Sequence, residues 1–228
     1  MTLYHVILAE SSLELVPKEL WGHSAVIKTA KRRKKTPKEI LLDVSLHYAA
    51  MKGLKNREKR GRPDIVHITL LEILGSPLNI EGMLRVYVHT INDYVLFIRS
   101  DTRIPKNYNR FVGLMEQLFI EGRVPPNSET PLIYLKTIKL GDLLKNIRVD
   151  RVILLSEEGE RKKPREIALE LSKYNNPAII IGGFPHGDFS KETYALADDI
   201  YSIYPKALEA WIVASRIISA IEDIMGIC

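Results

Sequence analysis

PAIIIGGFPHGDF, residues 177 to 189, decides the fold class. An almost wholly apolar run, PAIII at 177 to 181, leads straight into Gly182-Gly183, then Phe184-Pro185, then Gly187. A strand with no polar face is buried on both sides, which is the situation of a parallel strand covered by helices. Glycines at its end leave bare backbone amides, and the carboxyl ends of parallel strands are where open α/β sheets take small molecules. A tight turn is the other reading of the same glycines. RVILL at 151 to 155 repeats the apolar pattern, PLIYL at 131 to 135 is a further strand-like run, and helix-like pieces at 141 to 147 and 164 to 174 alternate with them. That alternation predicts an α/β protein with a mostly parallel sheet.

Beyond this stretch, DIYSIYPKAL places a second strand end and a proline turn, at Pro205, where they can close over the same pocket. The closing segment, 206 to 225, carries Leu208, Trp211, Ile212, Ser215, Ile218 and Ile221 near one helical stripe, apolar enough to cover a sheet or to pair with a second copy. In the first half, LYHVILA (3 to 9) reads as a strand. The spacing within 37 to 54 predicts one helix from Pro37 to a stop at Gly53. RPDIVHITLLEILGSPLN (62 to 79) predicts a helix opening at Pro63, with Asp64 near its positive end and Gly75 and Pro77 ending it. LRVYVH (84 to 89) and YVLFIR (94 to 99) flank an Asn92-Asp93 turn, and a helix from about Tyr108 to Ile120 follows.

Composition sets the outer limits. With 228 residues, 46% hydrophobic and 27% charged, the chain suits one large globular domain, and disorder, collagen repeats and a disulfide scaffold are excluded. The single Cys228 cannot form an internal disulfide. No apolar run approaches the ~20 residues of a membrane span, and the N-terminus lacks the features of a secretory signal, so a cytoplasmic protein with no membrane partner is expected. The net charge of +5 hides an asymmetry. Residues 28 to 38, 52 to 62 and 99 to 110 hold 17 of the 33 Lys and Arg but 2 of the 28 Asp and Glu, placing +15 on 34 positions and −10 on the rest. Three such runs in the first 110 residues favour nucleic acid over three solvated loops. Residues 28 to 36 read as a basic loop, mobile without a partner.

Several chemistries are absent by motif. There is no GxGxxG after a strand, no GxxxxGK[ST] and no Gly-x-Ser-x-Gly, and the six histidines lack metal-ligand spacing. Arg62, Asp64, Arg103, Lys106 and Arg110 stand out instead. Lys106 and Arg110, four apart after Arg103-Ile-Pro, are expected on one face of a helical first turn suited to phosphates. Asp64, two residues from Arg62 across a proline, is either a helix-end stabiliser or a functional acid.

At these residues a family resemblance emerges. RPDIVHITLLEILGSPLN, LRVYVHT, RIPKNYNRFVGLMEQLF, IGGFPHG and YSIYP occur in order. They resemble the SPOUT-class pseudouridine N1-methyltransferases of small-subunit ribosome biogenesis, the nucleolar essential protein family, also called essential for mitotic growth, in its shorter, archaeal-like form. The likeness is collinear from about residue 60 onward and leaves 28 to 38 outside. It implies a single SPOUT domain over 1 to 228 with an RNA-binding extension at about 55 to 110, a C-terminal trefoil knot, a homodimer, and S-adenosylmethionine as cofactor. The substrate implied is a pseudouridine of small-subunit ribosomal RNA, with ribosomal proteins or assembly factors as further partners. By motif, Leu155, Gly182, Gly187, Tyr201, Ser202, Ile203, Tyr204, Pro205 and Lys206 would contact the cofactor. Arg62, Arg103, Lys106 and Arg110 would contact RNA, and Arg62 with Asp64 would form the catalytic pair, Asp64 either orienting Arg62 or acting as base. Two positions depart from the family pattern: Gly75 where many members carry Asp, and Lys106 where Arg is usual, which keeps the charge but loses the bidentate fork. A non-catalytic RNA-binding assembly factor and a SPOUT methyltransferase acting on another nucleotide are the competing readings.

Overall fold

The structure, a computed structural model, describes residues 2–228. Its strands are β1 (Tyr4–Ser11), β2 (Leu84–Thr90), β3 (Tyr94–Ile98), β4 (Arg123–Val124), β5 (Ile133–Thr137), β6 (Arg151–Arg161), β7 (Pro177–Gly182) and β8 (Asp199–Ser202). The helices are α1 (Ser24–Arg32), α2 (Val44–His47), α3 (Pro63–Gly75), α4 (Pro77–Ile80), α5 (Tyr108–Glu121), α6 (Leu140–Asn146), α7 (Pro164–Leu171), α8 (Lys191–Tyr194) and α9 (Ala210–Met225). All eight strands join one sheet in the order β4-β5-β3-β2-β1-β7-β6-β8. The stretch β2-β1-β7-β6-β8 is parallel, and β3, β5 and β4 extend it antiparallel.

The period of two along each strand explains the layers. Ile179 and Ile181 of β7 face the side covered by α3, α5, α7 and α9, together with Val6, Leu8, Ile153 and Leu155. Ala178 and Ile180 face the other side, with Ile7, Val152, Leu154 and the α6 leucines 140, 143 and 144. Both faces are dry, as the apolar runs require.

Residues 16 to 54 fold around a separate small core that includes Val16, Leu20, Val26, Ile40, Leu42 and Met51. Two expectations change here. The single helix over 37 to 54 is instead a short turn at Pro37–Glu39, an extended Ile40-Leu41-Leu42, then α2 and a turn at Ala50–Gly53. Leu41 bridges to Leu15 and joins the main core, while Ile40 and Leu42 face the small one. Three consecutive apolar residues that must serve two cores take a period of two, and that overrides the helical spacing. The basic run 28 to 38 is likewise no mobile loop. Lys28, Lys31 and Arg32 lie on α1, and Arg33 and Lys35 both pair with Glu116 of α5, which is fully buried and also accepts from the Leu41 amide at 3.0 Å. A buried carboxylate held by two cations and an amide fixes the arm to the body of the sheet.

Candidate active site

β7 and β8 end beside Leu155 of β6, and the segments that follow these three points line an open cleft. Leu155, Gly182, Gly187, Tyr201, Ser202, Ile203, Tyr204 and Lys206 all line it, so the structure brings together in one place eight of the nine predicted cofactor positions. Pro205 is exposed between two of them. Gly183 is required by close approach: its amide donates to Ala9 O at 2.9 Å, and a methyl there would overlap Ser11 Oγ. Gly187 adopts φ +90°, open to glycine but strained for other residues.

The floor of the cleft is fixed from behind. Tyr201 donates its hydroxyl to Glu170 at 3.1 Å, and Lys162 lies 3.8 Å above the Tyr201 ring while pairing with Glu170 at 3.0 Å. β6 meets β8 twice, at Leu155 opposite Tyr201 and again at Glu160 and Arg161, with the chain between bulging outward. Gly159 makes that return possible, since a methyl on it would sit 2.6 Å from the Tyr201 carbonyl carbon. On the rim, Ser156 Oγ and Tyr194 Oη are 2.9 Å apart and Tyr194 donates to Asp188 at 2.5 Å. Burial and the neighbouring Asp188 push the Tyr194 phenol up to about 12, so it stays a donor. The lining combines apolar Ile181, Phe189, Leu208 and Val213 with the carboxylates of Glu157 and Asp188, a composition suited to a ligand with a flat apolar part and a cationic part.

Arg62 and Asp64 lie on the segment that opens α3, which Ser12 ties to the glycine loop after β7. Pro63 starts the helix, Asp64 occupies its first turn, and the Arg62 amide donates to Ser12 Oγ at 2.7 Å. The Arg62 guanidinium forms a fork with Asp64, Nε to Oδ1 at 2.9 Å and Nη2 to Oδ2 at 2.8 Å. Asp64 raises the Arg62 pKa above its ordinary value, with smaller contributions from Glu209 and Asp43. Tyr108 donates to Asp43 at 2.7 Å, and burial followed by that carboxylate pushes its phenol far up.

Arg103, Lys106 and Arg110 are exposed, and no ion pair engages them among the described residues. Lys106 does not share a helical turn with Arg110, contrary to expectation. Asn107 caps α5 by accepting from the Arg110 amide at 3.1 Å, so Lys106 falls in the preceding loop. That loop is held by His67 of α3, whose Nε2 lies 2.7 Å from Pro105 O and whose ring stacks on Phe111 at 4.4 Å.

Sequence reasoning misses the joints between these parts. In the second basic stretch, Lys59 pairs with Glu10 at 2.5 Å and Arg60 grips Glu14 through two bonds of 2.6 Å, so these two cations are internal rather than presented to a partner. Ser12 accepts from the Arg62 amide and donates its own amide to Gly183 O at 2.8 Å, joining the arginine to the glycine loop. Gly159 is equally silent in the sequence. A glycine in the charged end of β6 carries no signal of its own when the reason for it is the distant backbone of Ile200 and Tyr201.

Fold and site together define an α/β enzyme that binds a small molecule at its parallel strand ends and carries a basic flank. The chain belongs to the EMG1/NEP1 methyltransferase family, whose model matches residues 6–222. It is 58% identical over 222 residues to the ribosomal RNA small subunit methyltransferase Nep1 of Staphylothermus marinus, covering 97% of this chain and 96% of that one. It is 46% identical over 225 residues to the protein of the same description from Thermococcus kodakarensis, covering 99% and 100% of the two chains. Among solved structures, it superposes on Archaeoglobus fulgidus Nep1 bound to S-adenosylhomocysteine with a TM-score of 0.85 and 41% identity, over 99% of both chains.

Proposed function

We propose that this chain methylates N1 of a pseudouridine in small-subunit ribosomal RNA, with S-adenosylmethionine as methyl donor. Membership of the family makes it a methyltransferase, and its relatives' substrate, small-subunit ribosomal RNA, suits the exposed Arg103, Lys106 and Arg110. The observation that carries the reading is the position of the Arg62–Asp64 fork, attached through Ser12 to the loop that walls the cleft.

The cleft fits the cofactor. Its apolar walls suit an adenine, Gly182 lets the Phe184 and Phe189 rings of that wall pack close to the strand end, and Glu157 and Asp188 suit a sulfonium and an amino group. S-adenosylmethionine, when bound, supplies a methyl group on positively charged sulfur. In uridine N1 is the glycosidic atom and has no proton, whereas in pseudouridine the base is joined through carbon and N1 carries a hydrogen at an exposed edge. Only the isomer is a substrate. As the N1–methyl bond forms and the methyl–sulfur bond breaks, the N1 proton passes to solvent and negative charge develops on the base. Arg62 at the base carbonyls stabilises that charge, and Asp64 fixes its fork through charge-assisted bonds. Both Asp64 oxygens accept from Arg62, which favours orientation over proton removal. The base leaves its stack to reach the cleft, as readers of single-stranded loops require.

The whole chain acts as one SPOUT unit in this reading. The double meeting of β6 with β8 across Gly159 supports the C-terminal trefoil knot. A homodimer belongs to the same reading, with the exposed Ile68 on α3 and Ile212 on α9 among the apolar side chains available to it. The basic run 28 to 38 serves as a folded platform that adds phosphate contacts. Among the described residues no helix is long and apolar enough to cross a membrane. Calorimetric titration with S-adenosylhomocysteine tests the reading against an assembly factor that binds RNA alone: saturable one-site binding is expected, and its absence from a folded protein contradicts the proposal.

A further inference from the structure

Lys59 sits in the basic stretch that precedes Arg62, yet it is buried. Its ammonium pairs with Glu10 Oε2 at 2.5 Å and lies 4.3 Å from the centre of the Phe184 ring. Its stem runs against the Gly187 backbone, where an added methyl would meet Lys59 Cε at 3.4 Å. Phe184 and Gly187 both line the cofactor cleft. The other oxygen of Glu10 accepts from the Ser190 amide at 2.8 Å and from Thr193 Oγ1 at 2.7 Å, at the cap of α8 where the cleft loop ends. Glu10 reaches both partners because β1 shifts register between Leu8 and Ser11, and Glu10 itself takes φ +50°. Burial opposes its ionisation, but Lys59 and the Ser190 and Thr193 donors outweigh that, so its pKa is lowered and the pair is ionic.

We infer that Lys59 and Glu10 are positioning residues for methyl transfer, locking the cleft loop 184–190 to the 59–62 segment so that methyl donor and target base are held in line. The inference rests on the proposed function and adds the element that aligns its two halves. An apolar pair of similar volume would fill the same space at comparable stability. The ionic pair instead fixes an orientation: one ammonium touches a carboxylate and an aromatic face, and that carboxylate caps the helix after the loop. Residues 59, 60 and 62 then attach in succession to Glu10, Glu14 and Ser12, so a shift at Lys59 is transmitted to Arg62 within three residues. Displacements of about 1 Å between reacting groups lower rates by up to ~100-fold.

The test uses the double variant Lys59→Met with Glu10→Gln, which removes both charges together and leaves no unpaired buried ion. The single-turnover methyl-transfer rate is measured at saturating pseudouridine RNA and S-adenosylmethionine, alongside the Kd of each ligand. The expected result is a rate loss of ~10-fold or more with both Kd values within about threefold of the parent. Lys59→Arg, which keeps the charge and the ring contact, is expected to hold most of the rate. Should the double variant fail to fold, Glu10→Asp, which shortens the reach by one methylene, is expected to show the same split in milder form. A rate within about threefold of the parent, or a loss matched by an equal loss in either Kd, overturns the inference. A parent protein that transfers no methyl to pseudouridine RNA overturns the proposed function instead, so the two failures are distinct.

Discussion

Arg62 and Asp64 are joined by a fork whose two shortest bonds are 2.9 Å and 2.8 Å, and each side chain is about one third exposed. The pair is therefore too solvated to be a major source of stability, but the fork aligns the guanidinium with Asp64.

Replacing Arg62 by Ala is expected to abolish RNA methylation while S-adenosylhomocysteine still binds with near-parental affinity. Loss of cofactor binding in a folded variant would contradict the assignment of Arg62 to the base. Arg62→Lys keeps the charge but loses the fork and is expected to recover little of the rate.

Asp64→Asn separates orientation from proton removal. A pH-independent loss with weaker RNA binding is expected if Asp64 only aims Arg62. Recovery of the rate as pH rises, as hydroxide replaces a missing base, would assign it the other role.

Gly159→Ala and Gly183→Ala are expected to destabilise the protein by ~2 kcal/mol or more, because the added methyl has no room in either place. Gly159→Ala places carbon against the Tyr201 backbone, so thermal melting is expected to fall together with affinity for S-adenosylhomocysteine. An unchanged Tm in either variant would show that the close approaches are absent in solution.

Glu116 anchors the basic arm. Glu116→Gln leaves Arg33 and Lys35 without a carboxylate and is expected to cost ~2–4 kcal/mol and to expose residues 28 to 38 to trypsin. Neutralising the exposed Lys28, Lys31 and Arg32 together is expected to weaken binding of uridine and pseudouridine RNAs alike. The salt slope of binding then falls by ~0.7–0.9 for each phosphate that the arm no longer neutralises. An unaltered salt slope would exclude the arm from the RNA surface.

His5 and His47 are buried, and burial lowers the pKa of both. The unfolded chain then binds protons that the folded chain refuses. Their contribution is present above the unfolded histidine value near ~6.5 and is lost as pH falls from there toward the folded values. A fall in Tm between pH 7 and pH 5 that shrinks in His5→Asn is expected, and a slope unchanged by that substitution would assign the acid sensitivity elsewhere.

The sheet is largely legible in the sequence because dry parallel strands leave apolar runs, and β6, β7 and the β2–β3 hairpin fall where those runs lie. Ile40-Leu41-Leu42 misleads because a helical spacing and a strand shared between two cores leave the same three residues apolar. The arm at 28 to 38 misleads because what orders it, Glu116, is 81 to 83 residues away from Lys35 and Arg33. Lys59 reads as one of the RNA-facing cations because its partner, Glu10, is 49 residues distant. The cleft positions are placed by family motif, since glycines after a strand fit a turn equally well. The expectation of a knot likewise comes from the resemblance, because chain connections are almost always unknotted.

The most direct test of the central claim is methyl transfer from S-adenosylmethionine to two RNA hairpins identical except for uridine or pseudouridine at one position. Methyl incorporation into the pseudouridine hairpin alone, at N1, is the predicted result. Equal incorporation into both, or methylation at ribose or guanine, would contradict it.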